Sequence, residues 1–241
     1  MVGDAERGRL STLLPAAGGA ASTRAAAGTT EMPLGSAGRA WVRVPAGAPD
    51  GAALPLVVAL HGAGGRAPDM LRMLAGVADD HGLLLVAPQS TGTSWDVIRG
   101  RFGPDVRLLD AALARALEDH AVDPARLAVS GFSDGASYAL SLGIGNGDLF
   151  GHVMAWSPGF QAAQVDCGRP RFFLSHGRQD RVLPVDRCSR RLVPMLIAAG
   201  YDVEYDEFDG PHVVPPEVLE RSVRWFLGTG DAAVLSHPAP R

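Results

Sequence analysis

Cysteine is nearly missing from this chain: Cys167 and Cys188 are the only two in 241 residues. So few thiols exclude a disulfide framework and a cysteine-based zinc site, and two unbridged thiols fit a reducing compartment. No H-E-x-x-H or comparable spacing of metal ligands occurs, so no metal is expected. Long hydrophobic runs are missing too. None approaches the roughly 18 apolar residues of a membrane span. The N-terminus carries Asp4, Glu6, Arg7 and Arg9 but no extended apolar stretch and no twin arginine, so no signal peptide is expected. A cytoplasmic protein is the resulting expectation. Strong charge of either sign is also lacking. Lys and Arg number 22 against 26 Asp and Glu, a net charge of −4, which gives no reason to expect nucleic acid as a partner. Small basic clusters at Arg99, Arg101, Arg187, Arg190 and Arg191 read as solvated surface arginine.

What is present is an ordinary globular composition, 46% hydrophobic, at a length suited to one domain. Residues 1–30 are rich in Ala, Gly and Thr and read as a flexible lead-in; 31–228 read as the folded domain and 229–241 as a flexible tail. Within the domain, short apolar runs alternate with helical patterns. "LPLVVALHG" and "LLLVAP" are continuous runs, as in strands buried on both faces of a parallel sheet. "AWVRVP" alternates, as an antiparallel or edge strand does, and "YDVEYDEF" alternates near the far edge. "RLAVSG", "HVMAWSP" and "RFFLSHG" supply further strands. Residues 105–119 set Val106, Leu109, Ala112, Leu113, Ala116 and Leu117 on one stripe, and helices are expected near 68–80, 134–145, 186–199 and 216–227. This alternation predicts an α/β fold, a mostly parallel sheet with helices on both faces. Reactive groups then belong at the carboxyl ends of the strands. No internal repeat is present, and no inter-strand stretch is long enough for a separate lid domain.

The strongest motif is Gly131-Phe132-Ser133-Asp134-Gly135, between the strand "RLAV" and a helical segment. A G-x-S-x-G turn in that setting is a nucleophile elbow: the serine takes a strained backbone, and the glycines avoid clashes with strand and helix. A serine hydroxyl needs a base. His61 and His176 end strands on the correct side, His81, His120 and His237 read as solvent-facing or capping, and His152 opens a strand. His212, in the late loop "FDGPHVVPP", alone satisfies both the chain order serine, acid, histidine and the late-loop position. Asp180, in "FFLSHGRQDRVLP", is the candidate acid. Asp186 sits where a helix begins and suits an N-cap, and Asp206 and Asp209 lie too close in order to His212. The oxyanion hole is expected from the backbone N–H of Asp134 and of Ala63 or Gly64 in "LHGAGG". Trp95, Trp156 and Phe160 lie in loops at the same edge, either as walls of an apolar substrate pocket or as packing residues.

"LHGAGG", "APQSTGTSWD", "GFSDGASYALSLG", "SPGF", "SHGRQDRVLP" and "FDGPHVVPP" together resemble the bacterial phospholipase/carboxylesterase group of α/β-hydrolases. They are similar also to dienelactone-hydrolase-like and polyhydroxybutyrate-depolymerase-like esterases. The resemblance runs from about Trp41 to Leu227. It implies a compact α/β-hydrolase fold and a cofactor-free serine carboxylic-ester hydrolase with the triad Ser133, Asp180 and His212, acting on a small-molecule ester. Short-acyl, aryl (feruloyl-like) or polyester substrates fit an open cleft. A lysophospholipase or acyl-thioesterase would use the same triad; a serine peptidase or a non-catalytic binding module is less in keeping with it. Two departures stand out. Asp134 follows the serine where acyl-protein thioesterases carry other residues, and a dienelactone hydrolase would carry cysteine at position 133.

Overall fold

The computed structural model describes residues 3–14, 26–48 and 51–229. Eight strands form one open sheet: β1 (Gly28–Pro33), β2 (Arg39–Val44), β3 (Leu54–Leu60), β4 (Leu84–Pro88), β5 (Val122–Phe132), β6 (His152–Trp156), β7 (Arg171–Gly177) and β8 (Val203–Phe208). Their spatial order is β1-β2-β4-β3-β5-β6-β7-β8. From β4 onward every neighbouring pair is parallel. β2 runs antiparallel to both β1 and β4.

Five α-helices cover the sheet: α1 (Ala67–His81), α2 (Pro104–Asp119), α3 (Asp134–Gly145), α4 (Ser189–Ala198) and α5 (Pro216–Leu227). The apolar stripe of α1 (Met70, Leu71, Leu74, Val77) and that of α5 (Val218, Leu219, Val223, Phe226) pack on one face. α2, α3 and α4 pack on the other, through Val106, Leu109, Leu113, Tyr138, Leu142 and Leu192. β4 is buried along its whole length, which is why its sequence shows no alternation. α1, α2 and α5 each begin with proline in the first turn, where the missing N–H has no helical acceptor to satisfy.

The structure differs from the sequence expectation at the N-terminal side. Residues 3–14 do not hang free: Leu10 is buried in the core, and its N–H donates to Asn146 Oδ1 at 2.8 Å. Arg9 binds Asp148 and the Gly145 carbonyl, and Thr12 binds Asp110. These partners stand 98 or more residues away in sequence, so local periodicity carries no trace of them. β1 also starts inside the supposed lead-in. It takes the sheet edge, and β2, expected as an antiparallel or edge strand, is the antiparallel strand between β1 and β4. The remainder of the lead-in, residues 1–2 and 15–25, and residues 230–241 of the tail lie outside the described residues. At the far edge β8 is terminal, as its alternation implies, and pairs parallel to β7.

Candidate active site

β5 stops at Phe132 and α3 starts at Asp134, so a single residue makes the turn. That residue, Ser133, has φ 59° and ψ −120°, a conformation most side chains avoid. Its N–H donates to the Trp156 carbonyl at 3.0 Å, which ties the strained turn to β6. The flanking glycines are required by space. A Cβ on Gly135 would overlap the Leu60 carbonyl of β3, and one on Gly131 would overlap the backbone of Gly135. The result is a serine at the carboxyl edge of the sheet and at the positive end of α3, with Oγ within reach of a base.

An imidazole is within reach. His212 Nε2 lies 2.9 Å from Ser133 Oγ, and His212 Nδ1 lies 2.5 Å from Asp180 Oδ2. With Nδ1–H donating to the carboxylate, Nε2 is left to accept the serine proton. The Phe132 ring lies 4.7 Å from the imidazole, centroid to centroid, and limits its swing. Asp180 is 5% exposed, and its other oxygen accepts the backbone N–H of Val182 and of Leu183, each at 2.8 Å. The loop after β7 thus curls round its own carboxylate.

The competing residues are engaged elsewhere. Asp186 pairs with Arg190, Asp206 with Arg221 and Asp209 with Arg178. His176 is fully buried beside the acid, its Nε2–H donating to the Leu183 carbonyl at 2.7 Å while Nδ1 accepts from Ser189 Oγ at 2.7 Å. His61 donates from Nδ1 to the Gly62 carbonyl and accepts the Ser90 N–H at Nε2. Burial lowers the pKa of both rings. His81 pairs with Glu220, and His237 lies outside the described residues.

The turn after β3 runs beside the serine: a Cβ on Gly62 would stand 3.3 Å from Ser133 Cβ. Of the two amides expected there, Gly64 is already committed, donating to the Thr93 carbonyl at 2.6 Å. The N–H of Ala63 has no protein acceptor among the described residues. Asp134 is the first residue of α3, so its N–H has no acceptor within the helix.

No family model matches the chain, and no curated protein does. Solved structures do. Esterase PE8 is 25% identical, with a TM-score of 0.63 over 77% of this chain and 96% of its own. A phospholipase/carboxylesterase from Dyadobacter fermentans is 23% identical, with a TM-score of 0.57 over 86% of this chain and 99% of its own. A ferulic acid esterase from Anaeromyces mucronatus is 18% identical, with a TM-score of 0.61 over 79% of this chain and 84% of its own. The chain shares the α/β-hydrolase fold of these esterases.

Two of the three residues considered as pocket walls are core residues. Trp95 is fully buried, stacked on Tyr138 at 5.0 Å, with its indole N–H donating to the His61 carbonyl at 2.8 Å. Trp156 is fully buried among Val57, Met154 and Phe173 on the other side of the sheet. Their large apolar area is better removed from water than shown to it. Phe160 is half-buried and remains at the edge, in a loop pinned to α3 by Gly159 N–H donating to Ser137 Oγ. Exposed apolar side chains neighbour Asp180 and His212 in sequence. Val182, 66% exposed, follows Asp180 by two residues, and Val213, 43% exposed, follows His212.

Sequence reasoning placed the loop after β4, residues 89–96, at the reactive edge as a source of pocket walls but did not foresee its ties to the turn after β3 and to Asp134. Gln89 and Ser90 donate to His61, Thr93 accepts from Gly64, and Ser94 Oγ donates to Asp134 Oδ2 at 2.6 Å. Only the polar density of "PQSTGTSWD" hinted at them. A cavity of about 290 Å³ between residues 161–166 and α4 contains none of Ser133, Asp180 or His212.

Proposed function

We propose that the protein hydrolyses carboxylic esters through an acyl-enzyme, with Ser133 as nucleophile, His212 as general base and Asp180 as the acid that orients it. The observation that carries this reading is His212 bridging Ser133 Oγ and Asp180 Oδ2. As Ser133 attacks the ester carbonyl, its proton passes to His212 Nε2, and the imidazolium is stabilised by the buried Asp180 carboxylate. The N–H groups of Ala63 and Asp134 serve as oxyanion donors, each worth about 3 kcal/mol at the transition state. His212 then protonates the leaving alcohol. In deacylation it takes a proton from water, which attacks the acyl carbonyl and frees Ser133. Every group in this cycle is a side chain or amide of the chain, so the chemistry asks for no cofactor.

Val182 and Val213, exposed and close in sequence to Asp180 and His212, support an apolar acyl or aryl group, and the ferulic acid esterase among the structural neighbours supports aryl esters within that class. Among the described residues no helix is long and apolar enough to cross a membrane. Cys167 and Cys188 are free thiols, which supports a cytoplasmic setting.

The test is a p-nitrophenyl ester series from acetate to palmitate, on the wild type and on Ser133→Ala. Serine-dependent turnover strongest at short chains is expected, with the variant reduced by about a million-fold in kcat. Turnover that survives in Ser133→Ala refutes the nucleophile. A maximum at palmitate refutes the short-acyl assignment.

A further inference from the structure

The chain contains no lysine, so every cationic side chain that stays charged at all working pH values is an arginine. Most of these arginines are paired with carboxylates, for example Arg43 with Asp79, Arg171 with Asp202 and Arg190 with Glu207. Among the described residues seven exposed arginines have no carboxylate within ion-pair distance: Arg7, Arg187 and Arg191, and also Arg66, Arg99, Arg101 and Arg181. The last four share a location. Arg66 ends the turn after β3, Arg99 and Arg101 lie in the connection after β4, and Arg181 follows Asp180 after β7. These are the connections that leave the carboxyl edge of the sheet, where Ser133 sits. A protein with net charge −4 therefore leaves four of its unneutralised guanidinium groups on the connections at this edge.

Arg99 is the best placed of them. Its guanidinium lies over Gly92, with Nη1 2.8 Å and Cζ 3.0 Å from the point that a Cβ on Gly92 would occupy. Gly92 immediately precedes Thr93, whose carbonyl holds Gly64, and Ser94, whose hydroxyl holds Asp134. The charge thus lies over the strip of backbone that braces the oxyanion side. The nearby carboxylates are otherwise engaged. Asp134 accepts from Ser94; Asp105 accepts the N–H of Thr91 and of Asp96; and Asp96 accepts from Asp105 N–H and the Tyr138 hydroxyl. The forked donors of Arg99 are left facing solvent, with no acceptor among the described residues, and that geometry suits a planar or tetrahedral oxyanion.

We propose that the substrate is an ester bearing an anionic group, a carboxylate or a phosphate, remote from the scissile bond, and that Arg99 takes this group over Gly92 while Arg66 adds to the field. The proposal rests on Ser133-dependent ester hydrolysis. It replaces the reading of Arg99 as a merely solvated arginine and narrows the substrate class to anionic esters.

The experiment compares the p-nitrophenyl monoester of glutaric acid with its neutral methyl-capped counterpart, and adds the corresponding phosphonate as a third substrate. The expected result is a kcat/KM ratio, anionic over neutral, of about tenfold at low ionic strength, the size of one charge-assisted hydrogen-bonded contact. The ratio should fall as salt rises. Arg99→Gln should bring it close to one. Gly92→Ala should lower it as well, because the new Cβ displaces the guanidinium while leaving its charge in the chain. A larger ratio for the phosphonate than for the carboxylate assigns the site to phosphate, and the reverse assigns it to carboxylate. A wild type that hydrolyses both glutarate esters equally overturns the anion site and leaves ester hydrolysis standing. A wild type that hydrolyses neither overturns the ester-hydrolase reading and this proposal with it. Should Arg99→Gln not fold, Gly92→Ala and the salt dependence decide.

Discussion

Asp180→Asn removes one charge from the site while keeping its shape, and the structure dictates which way the new amide must face. Asp180 Oδ1 accepts two backbone N–H groups, those of Val182 and Leu183, each at 2.8 Å, whereas Oδ2 accepts one hydrogen bond, from His212 Nδ1 at 2.5 Å, with His176 Nε2 standing 3.3 Å off. An asparagine that turned its NH₂ towards the loop would set two donors against it. Leaving two buried donors unpaired costs about 2–6 kcal/mol, against one bond lost in the other orientation. The amide oxygen therefore stays with the loop, and the NH₂ faces His212. The imidazole answers by placing its proton on Nε2, so that Nδ1 can accept from the amide. Nε2–H then points at Ser133 Oγ, 2.9 Å away, and has no lone pair for the serine proton. Removing this base and the carboxylate opposite the imidazolium should lower kcat by about 10⁴, with KM little changed and the melting temperature within a few degrees of the wild type. The assay is kcat and KM on p-nitrophenyl acetate, alongside a thermal melt and the imidazole proton resonances, which report the tautomer. A folded variant within tenfold of wild-type kcat would refute the reasoning. If Asp186→Asn gave the loss instead, the wrong carboxylate would have been assigned.

Other consequences can be checked on the fold itself. Gly135→Ala should lose about 3 kcal/mol or more or fail to fold, since its Cβ overlaps the Leu60 carbonyl, whereas Gly76→Ala, on the open side of α1, should gain up to about 1 kcal/mol; equal urea midpoints for the two would sink the argument. His152 is held down to about 4 by burial, with Arg171 adding to the effect, and packs edge-on against Trp225 and Phe226. Its folded pKa lies below its unfolded value, so the unfolded chain binds more protons between about pH 6.5 and 4 and stability falls as pH drops through that window. Discounted for the part of the ring that meets solvent, the loss should be about 1–2 kcal/mol, and His152→Phe should flatten urea stability across it; an unchanged slope would count against this. Asn146→Ala strands the Gly8 carbonyl and the Leu10 N–H, at about 1–3 kcal/mol for each group left buried. Hydrogen exchange at Leu10 should rise well before that of β3, and equal protection at both would contradict the tie.

Much of this protein was written locally. The buried runs of β3 and β4, the apolar stripes of α1 and α2 and the strand–turn–helix setting of Ser133 are each decided by residues within one turn or one strand. Chain order and loop position were enough to single out Asp180 and His212 as the pair to bring to that serine. The sequence could do this because periodicity, turn chemistry and element order are short-range properties. Contacts between distant segments were another matter. Residues 3–14 look unstructured until Asn146, Asp148 and Asp110 come within reach. Ala63 and Gly64 are indistinguishable as letters, and only the Thr93 carbonyl, fixed by a separate loop, takes one amide out of play. Trp95 and Trp156 sit in loop-like and strand-end positions that suit a pocket wall, yet packing against Tyr138 and Phe173 buries both. Which arginines are neutralised was equally invisible, because pairing depends on side chains that meet only across the folded sheet edge. Element type and the choice of candidate residues belong to the sequence by itself; burial, hydrogen-bond commitment and the distribution of unpaired charge were settled by the tertiary structure, since each depends on what the rest of the chain brings alongside.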